Sequence, residues 1–169
     1  SLSAILGLPE VKADVRMPLI FGNHMVLQQD TRITIWGCAD AGENIEVLFA
    51  GQKVRTTANA GGTWQVKLKP VKTKKKGETL TITGKNKLVY SDVLVGDVWV
   101  ASGQSNMEWG IKVRKEYADD IAHSEDSLLR LFFVPKNTSL QPLSEIEIPQ
   151  GTASPERAAR WVLCPPEML

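Results

Sequence analysis

Between residues 18 and 92 the chain alternates apolar and polar positions in short segments. The clearest example is TWQVKLK (63–69), in which Trp64, Val66 and Leu68 face one side of an extended chain and the polar residues face the other. Most of the segments are rich in β-branched or aromatic residues, which favours strands. The predicted strands are 25–28, 31–37, 44–50, 53–59, 63–69, 78–84 and 88–95.

Turn signals separate these segments. Glycine-containing stretches lie at 40–42, 50–51, 59–62, 76–77 and 84–86. Many short strands at such regular spacing predict a β-sandwich, jelly-roll-like, or a small barrel over residues 18–92.

The pattern changes after residue 92. The run 93–101 is nearly all apolar and predicts a strand buried on both faces. A short helix is expected at 115–123 and a second buried strand at 128–134. Strand, turn, helix and strand in this order predict the beginning of a doubly wound α/β domain over 93–169. About 75 residues are too few to complete such a domain, so the rest is expected from a missing C-terminal segment or a second chain.

The composition is that of an ordinary globular protein, with 43% hydrophobic and 23% charged residues. The net charge of +1 gives no electrostatic reason to expect a nucleic acid or a membrane surface as partner. Cys38 and Cys164 do not form a CxxC metal pair, and the sequence leaves open whether they form a disulfide. No cofactor or metal is expected, since neither a phosphate-binding glycine loop nor a metal constellation is recognisable.

Residues 1–17 form either a frayed N-terminal arm or the remnant of a secretory signal. An apolar stretch, Leu2–Leu8, precedes small and apolar residues around Ala13, which suits a cleavage site before Asp14. The signal hypothesis predicts a periplasmic or secreted protein.

The strongest chemical signal is Ser105, which follows the apolar run in the tight turn Ser102–Asn106. A serine held at the C-terminal end of a strand is typical of the nucleophile of α/β hydrolases. Such a serine needs a base, usually a histidine, within hydrogen-bond reach. His24 is interpreted as a turn residue and His123 as an exposed helix residue, so neither is an evident base.

Other polar and aromatic residues keep two interpretations. Gln104 and Asn106, beside Ser105, either fix the turn or contact substrate; both are candidate substrate-binding residues. Asp97 is interpreted as holding a strand end, and Trp109 either packs in a core or lines a sugar site. The basic run 72–76 is interpreted as a solvated hairpin tip.

These motifs together resemble the sialate O-acetylesterases, a carbohydrate acetylesterase family of the SGNH hydrolase superfamily, and the resemblance covers residues 18–134. The matching positions are Met25–Gln28, Ile35–Gly37 with Ala39 and Gly42, Gly62–Leu68, and Asp92–Trp109.

The resemblance implies an N-terminal β-sandwich joined to an α/β/α hydrolase domain. It identifies Ser105 as the nucleophile and implies that its backbone N–H contributes to an oxyanion hole. The family's further oxyanion groups and its late Asp-x-x-His have no match in this sequence.

The resulting hypothesis is an esterase that removes O-acetyl groups from carbohydrate, with O-acetylated sialic acid implied by the resemblance. The reaction would pass through an acetyl-Ser105 intermediate, with the base and remaining oxyanion groups supplied from outside this chain. The alternative is a carbohydrate-binding or interaction module without its own catalysis.

Overall fold

A computed structural model describes residues 14–108, 115–122, 124–152 and 158–164. The strands are β1 (Val26–Gln28), β2 (Ile33–Cys38), β3 (Asn44–Phe49), β4 (Gln52–Thr57), β5 (Thr63–Leu68), β6 (Lys74–Thr83), β7 (Lys87–Gly96), β8 (Asp126–Phe132) and β9 (Trp161–Cys164). A 3-10 turn, Lys115–Tyr117, leads into the helix α1 (Ala118–Ala122). The seven strands predicted between residues 25 and 95 and the helix near 115–123 are therefore confirmed.

Strands β1–β7 form a mostly antiparallel β unit. A curled mixed sheet has the order β1-β7-β6-β3-β4, in which β1 runs parallel to β7, and β2 pairs with β5 in a separate two-stranded sheet. Alternation explains the packing, because the inward side chains of both sheets meet in one core. Its most completely buried members include Ile35, Phe49, Leu68, Leu80 and Ile82.

The structure differs from the sequence prediction in the apolar run 93–101. The expected strand 93–101 is half wrong, because β7 ends at Gly96 and Val98, Trp99 and Val100 are exposed without strand structure. β7 itself begins at Lys87, and Val93 and Val95 near its end are buried in the core of the β unit. A run of apolar letters does not distinguish a buried strand from a segment whose covering partner is elsewhere.

The expected buried strand at 128–134 exists as β8, but its burial was predicted wrongly. β8 pairs antiparallel with β9, and Leu128 and Leu129 are exposed. In the described residues beyond β7, this pair is the sheet that forms, and no parallel doubly wound arrangement is present.

The β8–β9 pair packs on the β unit through Trp161. Its indole Nε1–H donates to the carbonyl of Ile20 at 2.7 Å, and its ring contacts Phe132 with centroids 5.3 Å apart. Cys38 and Cys164 are free thiols in this structure.

The basic run was placed only partly correctly. It is exposed to solvent as predicted, but Lys74–Lys76 belong to β6 and are not a hairpin tip. Lys74 forms an ion pair with Glu78 four residues along the same strand.

Candidate functional site

Hydrogen bonds with two glutamine side chains hold the chain where it leaves β7 towards Ser105. The Asp97 carboxylate accepts a hydrogen bond from the side-chain amide of Gln29 at 3.1 Å and a longer one from Gln28 at 3.4 Å. The Val98 backbone N–H donates to Gln28 Oε1 at 2.8 Å. The prediction that Asp97 holds the strand end is confirmed. Gln28, the last residue of the MVLQ motif, takes part by bonding both Asp97 and the Val98 backbone.

A tight turn then presents Ser105. Ser105 is the first residue of a short 3-10 helix, Ser105–Glu108, and the Met107 N–H donates to the Gln104 carbonyl at 2.9 Å. A Cβ at Gly103 would lie 2.6 Å from Met107 Cγ, so the turn accepts a glycine at this position and excludes larger residues unless Met107 moves. The predicted glycine-containing turn is thus confirmed.

The side chains of Ser105 and Gln104 are exposed. Asn106 lies in the 3-10 helix, but its side chain is outside the described residues, as are His123 and Trp109 altogether. Within the described part of the chain, Ser105 has no hydrogen bond to a histidine. The roles assigned to Ser105, Gln104 and Asn106 therefore stay predictions.

A second polar cluster joins the β unit to the β8–β9 pair. His24 Nδ1 lies 2.7 Å from Asp92 Oδ2, and an Arg130 guanidinium N–H donates to the same oxygen at 3.0 Å. The Arg130 side chain is only 4% exposed, so its charge is removed from water and balanced by Asp92. We call His24, Asp92 and Arg130 the carboxylate cluster.

The backbone around this cluster is unusual. His24 and Asp92 both have positive φ angles, 65° and 52°, in the left-handed region. The His24 N–H donates to the Ser91 carbonyl at 3.0 Å, so the predicted turn role of His24 is confirmed. Sequence reasoning missed Asp92 as its partner. The available signal was a carboxylate in the middle of a largely apolar strand segment, LVYSDVLV.

Hydrogen bonding by the cluster lowers the pKa of Asp92 from its ordinary value of 3.8. The hydrogen bond from His24 is the main cause, and Arg130 adds a favourable charge, while partial burial acts in the opposite direction. A histidine–carboxylate pair is two-thirds of a serine hydrolase triad. Here Asp92 binds Arg130 as its second partner, so the arrangement serves to join two parts of the structure.

An open cleft of about 440 Å³ lies where β7 ends. Val98 and Trp99 line one part of it and Leu128 and Leu129 another, with Lys74 at the margin. The cleft adjoins the segment that leads to Ser105, and Trp99 is 88% exposed.

Among the described residues, no group of three or more His, Cys, Asp or Glu side chains is arranged to hold a metal ion. None of the helices in that part of the chain is long and apolar enough to cross a membrane.

Comparison with known proteins gives the class to which this fold and turn belong. A solved carbohydrate acetylesterase from Xanthomonas citri superposes with a TM-score of 0.79 at 33% identity, over 90% of this chain and 33% of the other. No family model matches the sequence.

Relatives narrow the class to one family. The sialate O-acetylesterase of Mus musculus is 32% identical over 141 residues, and that of Rattus norvegicus is 34% identical over 141 residues. These matches cover 75% and 74% of this chain. The chain is therefore a homologue of the sialate O-acetylesterases, as the sequence predicted, and spans about a quarter of their length, 26% and 25%.

Proposed function

We propose that this chain is the N-terminal portion of a serine esterase that removes O-acetyl groups from carbohydrate. The observation that carries the proposal is the exposed Ser105 at the start of a tight turn behind a β unit that superposes on a carbohydrate acetylesterase. The names of the homologues support O-acetylated sialic acid as the substrate class.

The proposed architecture is a β-sandwich followed by the first part of an SGNH hydrolase domain. The boundary that the sequence suggested, between 18–92 and 93–169, falls inside β7, so the proposed sandwich includes β7 to its end at Gly96. Residues 1–17 are the proposed arm or signal remnant, and cleavage before Asp14 would make the protein periplasmic or secreted. The two sheets that share one core support the sandwich.

In the proposed mechanism the Ser105 hydroxyl attacks the acetyl carbonyl, and a base takes its proton. The tetrahedral intermediate places its negative charge near the Ser105 backbone N–H. Collapse releases the sugar hydroxyl and leaves acetyl-Ser105, which water hydrolyses to acetate. Gln104 and Asn106 are proposed to contact the sugar.

The base and the remaining oxyanion donors are proposed to come from outside this chain, either from a further segment or from a second chain. This part of the proposal rests on the carboxylate cluster, which already occupies His24. It rests also on the position of the single Asp-x-x-His in the sequence, at 120–123, whose His123 follows Ser105 by only 18 residues instead of belonging to a late block. Loss of a single oxyanion donor typically costs about 2.7–4 kcal/mol of transition-state stabilisation, so the isolated chain should hydrolyse esters very slowly.

The test uses the protein purified from its source, labelled with a fluorophosphonate probe and digested for mass spectrometry. We expect the label on Ser105, and we expect Ser105→Ala to lower the hydrolysis of O-acetylated sialic acid at least about a thousandfold. Ser102→Ala, in the same exposed loop, is the matched control and should keep its rate. Hydrolysis that persists at the normal rate in Ser105→Ala would contradict the proposal.

A further inference from the structure

The outer face of the β2–β5 sheet carries an exposed tryptophan that the proposed reaction does not use. Trp36 lies on β2 directly opposite Gln65 on β5 and is 41% exposed. Its strand neighbours Ile35 and Gly37 are buried on the opposite, core-facing side. Single exposed apolar side chains are common on protein surfaces, so the case for a ligand rests on the surroundings of the ring.

The Trp36 ring is held in a fixed orientation. Phe21, itself 7% exposed, packs edge-to-face against it with ring centroids 4.7 Å apart and an interplanar angle of 74°. Such a pair restrains the indole before any ligand arrives, which reduces the entropy lost on binding.

Two depressions flank the Trp36 ring. One, of about 500 Å³, is lined by Trp36 together with Asn59, Thr63, Gln65 and Glu145. The other, of about 440 Å³, is lined by Trp36 with Ile20, Asn137 and Glu145. We call the two depressions and the ring between them the Trp36 groove.

The polar side chains of the groove have hydrogen-bonding capacity left for a ligand. In the described part of the chain, the Gln65 amide and the Glu145 carboxylate have no hydrogen-bond partner. Asn59, by contrast, is fixed by its bonds to Thr63 and Gly61, so it supplies a rigid wall.

This combination points to a sugar rather than to an apolar peptide. An aromatic face packs on the C–H face of a pyranose, while amides and carboxylates bind its hydroxyl groups, which is the usual division between apolar and polar groups in a ligand site. None of the described residues that line either depression is a Lys or Arg. The Glu145 carboxylate therefore favours an uncharged sugar over an anionic one.

We propose that the Trp36 groove binds an uncharged pyranose unit of a glycan, at a site separate from the Ser105 turn. The site would hold a glycan chain on the β unit, whatever chemistry occurs at Ser105. It goes beyond the proposed esterase function and does not require it.

The test measures binding of xylotetraose, chitotetraose and N-acetyllactosamine to the full chain carrying Ser105→Ala, so that hydrolysis plays no part. Titration is followed by calorimetry and by the indole N–H signals in NMR spectra. We expect saturable binding of at least one uncharged oligosaccharide, with the Trp36 signal shifting and with sialyllactose binding at least about tenfold more weakly.

Four variants make the test specific. Trp36→Ala should weaken binding at least about tenfold, and Trp36→Phe should retain part of it. Gln65→Leu keeps the ring and should also weaken binding, which separates a sugar site from mere loss of folding. Trp99→Ala, the matched exposed tryptophan, should bind normally.

Absence of binding to all three uncharged oligosaccharides would overturn the proposal. So would binding that survives Trp36→Ala or that is lost in Trp99→Ala. Because Ser105 is already replaced, neither result bears on the esterase proposal, whose failure is measured separately by labelling of Ser105.

Discussion

Single residues connect the two parts of this structure through charge. Asp92 accepts hydrogen bonds from His24 and from the nearly buried Arg130, which belong to parts of the chain far apart in sequence. Removing the carboxylate leaves a guanidinium out of water without a counter-charge, and that cost exceeds the loss of an exposed pair. The side chains of the carboxylate cluster thus connect the β unit to the β8–β9 pair.

We expect Asp92→Asn to lower the free energy of unfolding by about 1 kcal/mol at neutral pH, the value being moderated by the partial exposure of Asp92. Urea denaturation measures it. Asp97→Asn, an exposed carboxylate that keeps amide partners, is the control and should change stability less.

The pH dependence of this effect has a defined sign. Because the pKa of Asp92 is lowered in the folded state, its stabilisation is complete above the ordinary value of 3.8 and is lost as the pH falls through the folded-state pKa. The difference in stability between the wild type and Asp92→Asn should therefore be constant near neutrality and shrink below that value. A difference that grows with acidification would show that another group dominates.

At the scale of elements, an irregularity between β6 and β7 explains why Asp92 reaches its partners. The register shifts around Glu78, and Asp92 opposite this region adopts a left-handed backbone. Bulges of this kind turn a side chain away from its regular strand direction. Gly77 permits the arrangement, because a Cβ there would lie 2.7 Å from Asp92 Cα and 2.8 Å from its carbonyl carbon.

Gly77→Ala should therefore destabilise the protein by about 1–3 kcal/mol, since the clash is with backbone that cannot rotate away. Thermal unfolding followed by circular dichroism measures the change. Gly96→Ala is the matched control in β7, because its Cβ would meet Val26 Cγ1 at an ordinary 3.7 Å. Equal destabilisation by the two variants would remove the steric explanation.

The core of the β unit gives a second prediction at this scale. Ile82 on β6 is fully buried, whereas Val89 on the neighbouring β7 is 51% exposed. Ile82→Ala should lower the free energy of unfolding by about 2–5 kcal/mol, because it removes apolar contacts and leaves a cavity. Val89→Ala should cost less than about 1 kcal/mol. Guanidinium denaturation of both variants checks the difference.

At the scale of the whole molecule, apolar surface is concentrated after β7. Trp99 and Val100 are 88% and 90% exposed, and Leu128 and Leu129 lie across the adjoining cleft. These residues belong to the two segments, 93–101 and 128–134, that the sequence predicted to be buried strands. Surfaces of this kind tend to associate with each other or with another partner.

We expect the isolated chain to bind a hydrophobic dye and to self-associate as its concentration rises. Trp99→Gln combined with Val100→Thr should reduce both effects without lowering the melting temperature, because neither side chain packs in the core. Dye fluorescence and sedimentation velocity measure them. A monodisperse wild-type chain with no dye binding would contradict this prediction.

The sequence by itself determined the strands between residues 25 and 95, the glycine turn at Ser105 and the family. These follow from local alternation, turn chemistry and a contiguous motif, all of which are properties of neighbouring residues. His24 as a turn residue and Asp97 as a strand anchor were also readable from local context.

Only the tertiary structure decided the rest. It ended β7 at Gly96, paired β8 with β9 antiparallel, joined His24 to Asp92 and Arg130, and placed Trp36 between two depressions. The physical reason is that burial and ion pairing depend on residues 68 and 38 positions apart in the chain, and no local pattern records which of them meet. An apolar run such as 93–101 has the same letters whether its partner covers it or not.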